Sequence, residues 1–589
     1  MDGAGGTAHC CGYAVPAPDV TMHHGVAPSA PLLPTLRFGR PMRASLLPAL
    51  ALASLVSVPL AAQSKAPPPR PITTREIDAH LRFLSHDLLE GRAPATRGGR
   101  LAAEYIAAQL QAFGLEPAGD NGSWFQKVPI DIVGAKRETI RIGATGKATA
   151  TLRYPEDVVM WAGAAVAQSG AKAELVFVGY GATAPEYKWN DFKDVDVKGK
   201  ILLVLVNDPP APADEPALFG GRAMTWYGRY PYKFEEAERR GAAGALVIHT
   251  TERAGYPWHT VEGSWAKEIR MLPRPANAPA PLGFRGWITD SVASAMLAQA
   301  GLDLAQLRTK AESRDFRPVS TGITLDLAFE NTVQHLESEN VLGTVKGDDP
   351  KGASEFVVLS AHFDHLGLGP KVDGDSIYNG TEDNASGVAD MIAVARSVAE
   401  GPRARRSILF AFVTAEESGL LGSQYLAEHP VVPLTLTVAN LNVDGGNLLG
   451  RVKDLNVLGD TKSTLGPQLA TYLQPRGLKI VPEAFPERGA FYRSDHFMFA
   501  KAGVPSVSIG AGDTFEGKPA GWGVAQGEDY VAHRYHQPSD NYQPNLDLTG
   551  AVQLSTIVLD FAKVLANSSA WPQWNKDAEF KRPSRRPAM

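Results

Sequence analysis

The sequence predicts an α/β protein whose main sheet is mixed but mostly parallel and is covered by helices on both faces. From about residue 326 onward, nearly continuous apolar runs alternate with amphipathic helical segments. Such runs are typical of strands that are buried on both faces, and their alternation with helices is typical of a layered α/β domain. Residues 150–325 have a different texture, with glycine-terminated strands and aromatic, proline-rich loops. This texture predicts an inserted β-rich α+β domain.

The first predicted elements are two helices. Residues 73–90 carry apolar side chains at helical spacing, and Thr73 or Thr74 can cap this helix. Residues 100–113 form a second amphipathic pattern that Gly114 ends, and residues 122–130 open a strand.

The insert is predicted from three segments. Residues 173–181 and 197–207 read as buried strands, and residues 234–249 read as a helix, a glycine turn and a strand. His249 and His259 are isolated histidines, which we interpret as structural because no acidic partner at catalytic spacing accompanies them.

The second half of the chain supplies the strands and helices of the main sheet. The predicted strands are 355–361, 407–413, 436–443, 454–459 and 504–510. The predicted helices are 385–400, 419–428, 464–474 and 549–566. In such sheets, ligands collect beyond the carboxyl ends of the strands, so the residues just after these runs are the candidates for a site.

Composition excludes several classes of protein. The 589-residue chain has a net charge of −5, which does not indicate a nucleic-acid surface. Its two cysteines are Cys10 and Cys11, so the folded body has neither a disulfide framework nor a thiolate metal site. Any metal must therefore be held by His, Asp and Glu, which favours a hydrolytic zinc, manganese or cobalt site.

The N-terminal region predicts export. Residues 45–62 are an apolar stretch behind Met42 and Arg43 that ends in small residues, which is typical of a secretory signal peptide cleaved near Ala62. We interpret Met42 as the true initiator and residues 1–41 as an upstream over-read; the alternative is an ordinary disordered leader. A secreted or periplasmic protein with no stable membrane association after cleavage is expected.

Metal-capable side chains follow the apolar runs of the second half. They lie in the strings S-A-H-F-D-H-L-G (360–367), N-G-T-E-D-N-A-S-G (379–387), F-V-T-A-E-E-S-G (412–419), N-V-D-G (442–445) and Y-H-Q-P-S-D (535–540). Each string has a structural interpretation, such as a helix cap or a turn, but their recurrence at strand ends indicates a two-metal hydrolase. The candidate ligands are His362, Asp383, Glu417, Asp444 and His536.

The charges of this set suit a pair of divalent ions. Three carboxylates and one hydroxide offset two divalent cations, and one bridging carboxylate would give each ion three protein ligands. Glu416 lies beside Glu417 and can act as a base that is not tied to metal. Asp364, two residues after His362, can accept the second N–H of that imidazole.

These strings resemble peptidase family M28, the co-catalytic di-zinc aminopeptidases, which also includes glutamate carboxypeptidases, the transferrin receptor ectodomain and glutaminyl cyclases. The resemblance covers about residues 326–568, and F-L-S-H-D-L-L-E-G-R (83–92) resembles the start of the same domain. It implies a zinc-exopeptidase fold of the phosphorylase/hydrolase-like type. Residues 150–325 resemble a protease-associated (PA) domain, which members of the family carry as an insertion.

The resemblance implies a role for each candidate residue. His362 and Asp444 would hold one Zn²⁺, Glu417 and His536 the other, and Asp383 would bridge them. Glu416 would be the general base and then the acid, and Tyr535 would help to stabilise the oxyanion. The pocket or supporting residues would be Asp364, Asn384, Asp495 and His496. The Asp383–Asn384 peptide is expected to be cis.

The expected domain order follows from these assignments. It is a leader and signal peptide over 1–62, a linker over 63–71, the N-terminal part of the peptidase domain over 72–150, the PA insert over 151–325, the catalytic domain over 326–568 and a tail over 569–589.

The resemblance favours a secreted zinc exopeptidase, specifically an aminopeptidase that acts on peptide substrates. A carboxypeptidase or dipeptidase of the glutamate carboxypeptidase type is the main alternative, with Arg493 as a candidate for gripping a substrate carboxylate. A glutaminyl cyclase is disfavoured because those relatives bind one catalytic zinc and lack the insert. A catalytically dead binding module of the transferrin receptor type is disfavoured because all five ligand types and the base are present.

Overall fold

Two sheets share one long strand, Val319–Val345, which runs from the second sheet into the main sheet. The computed structural model describes residues 70–584, all of which lie in one compact unit, Pro67–Met589. The predicted leader and signal peptide, including Met42 and both cysteines, and residues 63–69 of the predicted linker lie outside the described residues.

The main sheet is mixed with a parallel centre, which confirms the predicted fold class. Strand Phe356–His362 pairs in parallel with Ser407–Val413 on one side and with Thr437–Asn442 on the other. Strand Ser506–Ala511 continues the parallel set. Antiparallel strands flank this centre on both sides, and the remaining strands are Glu116–Pro117, Phe125–Ala135, Ile269–Met271, Asp454–Leu458 and Lys479–Val481.

Helices cover both faces of this sheet because alternate residues of each central strand point to opposite faces. On strand Phe356–His362, Val357 and Leu359 pack into one core, and Val358 packs into another. The helices on the first face are Thr74–Leu84, Arg97–Ala112, Gly387–Glu400, Leu465–Leu473 and Thr549–Asn567. Those on the second face are Leu421–Glu428 and His496–Lys501.

Helix Thr549–Asn567 needs a separate comment because its length and apolar composition are those of a membrane span. It is the one such helix in residues 70–584, and 67% of its most apolar stretch is buried inside the fold. A core helix has these properties too, and this helix packs against Gly387–Glu400.

The second sheet lies mostly in the segment predicted as the insert, but it begins before residue 151, with strands Arg141–Gly146 and Ala150–Thr151. Its parallel strands are Gln168–Phe177, Ile201–Leu205, Gly244–His249 and Arg285–Thr289. Its antiparallel strands are Arg141–Gly146, Ala150–Thr151 and Val158–Trp161. Helices Tyr230–Arg239, Asp290–Gln299 and Leu304–Ala311 accompany them, together with the short helices Thr251–Ala254 and Trp258–Trp265. The centre of this second sheet therefore contains more parallel strands than the predicted β-rich α+β domain implies.

The first predicted helix, 73–90, is wrong at its C-terminal end. The helix stops at Leu84, and a 3-10 segment follows over Asp87–Arg92. Glu90, Gly91 and Arg92 have positive φ angles of 49°, 68° and 52°, which a right-handed helix cannot include. Several other elements have no counterpart in the predictions, among them the hairpin Gly367–Val372 with Asp375–Tyr378 and the helix Trp522–His533.

Candidate metal centre

Three neighbouring parallel strands end at the same edge of the main sheet and deliver four of the candidate residues. His362 is the last residue of its strand, and Asp444 follows strand Thr437–Asn442 by two positions. Glu416 and Glu417 lie in the turn after Ser407–Val413. Carboxyl ends of parallel strands form the usual ligand edge of an open α/β sheet, so this sheet positions the four residues together.

The turn that carries Glu416 and Glu417 is tight. The N–H groups of Gly419 and Leu420 both donate to the Glu416 carbonyl at 2.8 Å, and Leu421 N–H donates back to the carbonyl of Ala415 at 3.0 Å. Ala415 adopts φ +56°, which turns the chain sharply after the strand. The two glutamates are therefore on a turn, as their expected division of roles requires.

Asp383 comes from the loop that precedes helix Gly387–Glu400. The Asp383–Asn384 peptide is cis, as the resemblance implies. Asn384 is fully buried, and its amide donates to the carbonyls of His362 (3.3 Å) and Val443 (3.1 Å) while its oxygen accepts from Gly445 N–H (2.8 Å). This side chain fastens the Asp383 loop to two of the strand ends.

The same loop begins with a close backbone approach at Gly380. A Cβ atom there would lie 2.2 Å from the Asp383 carbonyl oxygen and 2.4 Å from His365 Cγ, and the φ of Gly380 is +56°. Only glycine fits this position without displacing the loop.

His536 completes the set from a different part of the chain. It follows helix Trp522–His533 and has φ +58°. Its Nε2 lies 3.1 Å from Glu417 Oε2 and 3.3 Å from Asp383 Oδ2.

The five candidate ligands thus converge in two overlapping groups. His362 Nε2 lies 3.1 Å from Asp444 Oδ1 and 3.3 Å from Asp383 Oδ1. His536 faces the other Asp383 oxygen, so each oxygen of this carboxylate faces a different histidine. This arrangement has the form of a carboxylate shared between two sites.

The residues present fit a pair of divalent metal ions. His362, Asp383 and Asp444 place one ligand atom each within 4.8 Å of one another, and so do His365, Asp383 and Glu417. Within residues 70–584, the buried atoms without a hydrogen-bond partner include His536 Nε2, Glu417 Oε1 and both nitrogens of His365. Buried polar atoms are normally paired, and unpaired imidazole and carboxylate atoms that face one another have the donor chemistry of a metal site.

The electrostatics agree with this interpretation. Burial acts to raise the pKa of Asp383, but His362 and His536 outweigh it and hold the pKa well below its usual value. Burial acts to lower the pKa of His362, but Asp444 and Glu416 raise it well above its usual value. The carboxylates therefore require nearby positive charge, which protonated histidines or cations can supply.

Glu416 is not one of the five candidate ligands, and its environment suits a general base. Burial raises its pKa well above the ordinary value, His362 opposes this effect, and Asp444 adds to it. Its backbone N–H donates to Asp364 Oδ1 at 3.1 Å. A carboxylate with a raised pKa in a buried site can exchange a proton near neutral pH.

The Asp364 carboxylate does not make its predicted contact with the His362 imidazole. His362 Nδ1 lies 3.2 Å from the Asp364 backbone oxygen, whereas the Asp364 carboxylate is 3.8 Å away and instead accepts from Glu416 N–H. The strand ends at His362, so the next residues curl back and bring a carbonyl to the imidazole first. Burial raises the pKa of Asp364 to about 6.

The remaining predicted residues lie around the centre. The Tyr535 ring stacks on His536 with centroids 3.9 Å apart, and Tyr535 is 46% exposed. Asp495 is fully buried, accepts from Ser423 Oγ at 2.5 Å, and burial raises its pKa to about 7. His496 packs edge-on against Phe491, and burial lowers its pKa to about 3. Its ring contact is therefore with the aromatic core and not with a candidate ligand.

Two further residues contact the centre without having been predicted. His365 Nδ1 lies 2.8 Å from Glu417 Oε1, and His365 is fully buried. Asp540 accepts the N–H groups of Glu382 (3.0 Å) and Asp383 (3.2 Å). Both lie in strings that carry candidate ligands, and the second histidine of H-F-D-H was the available signal.

Comparison with known proteins identifies a family for the second half. Residues 340–562 match the model of peptidase family M28. A probable leucine aminopeptidase 2 of Aspergillus oryzae is 29% identical over 237 residues, which are 37% of this chain and 43% of that protein. A probable lipoprotein aminopeptidase of Mycobacterium tuberculosis is 29% identical over 261 residues, which are 39% of this chain and 46% of that protein. The chain thus spans less than half the length of these curated relatives.

Two solved structures are also similar. An aminopeptidase from Aneurinibacillus sp. strain AM-1 aligns with 84% of this chain and 93% of its own, at 18% identity and a TM-score of 0.44. A zinc aminopeptidase from Bacillus subtilis aligns with 87% and 98%, at 18% identity and a TM-score of 0.40.

Proposed function

Residues 340–562 belong to peptidase family M28, and from this premise we propose that the chain is a zinc-dependent exopeptidase, specifically an aminopeptidase. The observation that carries the proposal is the shared Asp383 carboxylate, whose two oxygens face His362 and His536 at 3.3 Å each. Two relatives are named as a leucine aminopeptidase and a lipoprotein aminopeptidase, and these names support cleavage at the amino end of the substrate.

The proposed ligands divide as the geometry suggests. His362 and Asp444 would hold one ion, Glu417 and His536 the other, and Asp383 both. Two divalent ions bound there would polarise the scissile carbonyl and make a water molecule acidic enough to attack it near neutral pH.

Glu416 moves the proton in this proposal. Its carboxylate takes a proton from the attacking water as the new C–O bond forms, and it gives that proton to the amine nitrogen as the C–N bond breaks. Tyr535, stacked on His536, can donate its hydroxyl hydrogen bond to the oxyanion. Burial and the Asp383 carboxylate raise the pKa of Tyr535, which keeps the hydroxyl protonated.

Glu416→Gln is the sharpest test of this assignment. The substitution keeps the shape but removes the base, so we expect kcat on an aminoacyl anilide to fall about 10²–10⁴-fold with bound zinc unchanged. Glu428→Gln, an exposed glutamate on the next helix, is the matched control and should retain activity. Activity that survives Glu416→Gln would remove Glu416 as the base.

A substrate panel tests the aminopeptidase assignment. The purified protein is assayed with a series of aminoacyl anilides, with N-acetylated peptides and with N-blocked dipeptides that keep a free carboxylate, and its zinc is measured by elemental analysis. Hydrolysis of free but not blocked N-termini is expected. A protein that holds no zinc and turns over no substrate would contradict the proposal.

A carboxypeptidase or dipeptidase is the second candidate, favoured by Arg493. This residue is exposed, and within residues 70–584 neither it nor Arg229 forms an ion pair with a carboxylate. Burial and then the nearby Arg493 charge lower the pKa of Arg229 to about 10, so the two cations lie close enough to repel each other. An anionic group would relieve this repulsion, and cleavage of the N-blocked dipeptides is the result that would favour this candidate.

Two further assignments accompany the function. We infer that residues 151–325 are a PA domain inserted into the peptidase domain, because most of their strands belong to the second sheet and pack into the hydrophobic clusters around it. The strand Ile269–Met271 instead pairs with Phe125–Ala135 of the main sheet. We also infer export through the apolar stretch 45–62. N-terminal sequencing of the secreted chain tests the second inference, and a first residue upstream of 45 would contradict it.

A further inference from the structure

Arg92 is a fully buried arginine at the edge of the metal centre, and it comes from the N-terminal segment that precedes the second sheet. It lies outside the family match over 340–562, at the end of the segment 83–92 that resembles the start of the same domain. The chain reaches it through Gly91, where a Cβ atom would lie 2.3 Å from the Tyr378 carbonyl oxygen and 2.7 Å from that of Gly367. The backbone at Gly91 is therefore in close contact with the hairpin that follows His362.

The Arg92 guanidinium donates four hydrogen bonds, and all four acceptors are backbone carbonyls. Nε donates to Phe363 at 2.8 Å and Nη2 to Gly380 at 2.9 Å. Nη1 donates to Asn379 at 2.5 Å and to Leu84 at 2.6 Å. The planar guanidinium holds its N–H groups in fixed directions, so it can donate to several acceptors at once. A lysine ammonium cannot reproduce this fork-like geometry.

Three of these carbonyls, those of Phe363, Asn379 and Gly380, belong to the two loops that carry candidate ligands, and the fourth is that of Leu84 at the end of the first helix. Phe363 directly follows His362, and Gly380 lies three residues before Asp383. The fork therefore fixes the separation between the His362 loop and the Asp383 loop. Asn379 adds a tie to the same N-terminal segment, since its amide donates to Ser85 O at 2.8 Å and to Asp87 Oδ1 at 3.0 Å.

Within residues 70–584, no carboxylate forms an ion pair with the buried Arg92 guanidinium. Burial lowers its pKa to about 10, and the nearby carboxylates Asp364, Asp540 and Asp383 oppose this effect. The guanidinium stays charged at neutral pH, so the arrangement is held by carbonyl contacts in the field of the acidic centre.

We propose that Arg92 is a positioning residue of the metal centre, whose guanidinium sets the spacing of the His362 and Asp383 loops and thereby the zinc affinity. The inference rests on the proposed function, since it concerns the same site. It makes residues 84–92 part of the active centre although they precede the insert.

The test compares Arg92→Lys and Arg92→Met with the wild-type chain. Zinc affinity is measured by competition with a chromogenic chelator, and unfolding free energy by denaturant titration of the zinc-free proteins. Loss of a residue that orients metal ligands commonly weakens metal binding about 10–100-fold. We expect both variants to show a loss in this range, because lysine keeps the charge but not the fork. Arg92→Lys also keeps the test usable if Arg92→Met does not fold.

Arg396→Met is the matched control. Arg396 is also buried and holds the same N-terminal helix, through Glu76 (2.9 Å) and the carbonyls of Arg70 and Pro71, but it lies on helix Gly387–Glu400. We expect it to lose stability while keeping wild-type zinc affinity. A purely structural role for Arg92 would give the same pattern as this control.

The outcomes separate cleanly. Wild-type zinc affinity in Arg92→Lys, or equal zinc affinity in Arg92→Met and Arg396→Met, would overturn the proposal. A wild-type chain that binds no zinc would instead contradict the proposed function.

Discussion

Asp383 owes its position to contacts on both sides of its loop. Arg92 binds the carbonyls at the start of the loop, and Asp540 accepts the N–H groups of Glu382 and Asp383. Asp540 follows His536 by four positions. One carboxylate thus couples the loop of the shared ligand to the loop of the last ligand, so both respond to a change at Asp540.

Asp540→Asn should therefore weaken zinc binding. An amide offers one oxygen where the carboxylate offers two, and its NH₂ group would face an N–H donor. We expect zinc affinity to fall about 10–100-fold, measured by chelator competition. Asp547→Asn, an exposed aspartate that accepts from Thr549 N–H and Oγ1, should bind zinc normally. Equal affinity in the two variants would show that Asp540 does not orient the loop.

The sequence allowed most of the candidate ligands to be predicted because His362, Glu417 and Asp444 come at the ends of apolar strands. Asp383 lies in a glycine-marked loop, and His536 follows helix Trp522–His533. Their convergence is seen in the structure, but their roles as ligands stay predictions. His365, Asp540 and Arg92 were beyond reach because their contacts depend on how separate loops cross. The Asp364 contact was misjudged for the same reason, since it depends on how the chain curls after His362.

At the scale of secondary-structure elements, helix Gly387–Glu400 both follows the Asp383 loop and contains a buried carboxyl group that lowers the stability of the fold. It begins directly after the Asp383 loop and is buried along nearly its whole length. Inside it lies Asp390, which is 1% exposed and whose two carboxylate oxygens have no hydrogen-bond partner within residues 70–584. Burial raises the pKa of Asp390 well above its usual value, partly offset by Ser555. Burial thus favours the neutral form of this acid in the folded protein.

Asp390→Asn should stabilise the protein increasingly as pH rises. In the wild type the folded pKa exceeds the unfolded value of about 3.9, so stability from this group is full below that pH and is lost as pH rises toward the folded pKa. Asparagine does not ionise, so the variant does not lose stability in this way as pH rises. We expect the two unfolding free energies to agree near pH 4 and to diverge by about 1.4 kcal/mol per pH unit above it. A difference that does not change with pH between 4 and 7 would contradict a neutral Asp390.

Strands buried on both faces were predictable, and Ser407–Val413 has the predicted bounds. The long strand Val319–Val345 was not, because its burial alternates along much of its length and so lacks a continuous apolar run. The end of the first helix was misjudged because left-handed residues such as Glu90 and Arg92 do not interrupt an apolar period.

At the scale of the whole molecule, the metal centre joins segments that are distant in the chain. Its residues come from three strand ends, the Asp383 loop and the segment after Trp522–His533. Carboxylates held this close repel one another unless cations are present. Metal binding should therefore contribute to the stability of the entire fold.

Zinc removal tests this expectation. After chelation and dialysis, Tm should fall, and added zinc should restore it. At a free zinc concentration of one hundred times Kd, the stabilisation should be about 2.7 kcal/mol. The measurement is differential scanning calorimetry with and without zinc, and Asp444→Asn with its ligand set reduced should show a smaller shift. An unchanged Tm in the wild type would argue against metal binding to the folded state.

The paired strands Phe125–Ala135 and Asn331–Val341 have a consequence for how such a chain can arise. Ala135 and Asn331 lie directly opposite each other, and Lys136 N–H donates to the Glu330 carbonyl at 2.9 Å. The chain therefore leaves strand Phe125–Ala135 and enters its partner strand at a single point, and between them it touches the main sheet again through Ile269–Met271. Topologically, residues 136–330 are the loop of one β-hairpin, and a two-residue turn can close such a hairpin. A whole lobe can thus be acquired or discarded in one genetic event without reordering any strand that carries a metal ligand.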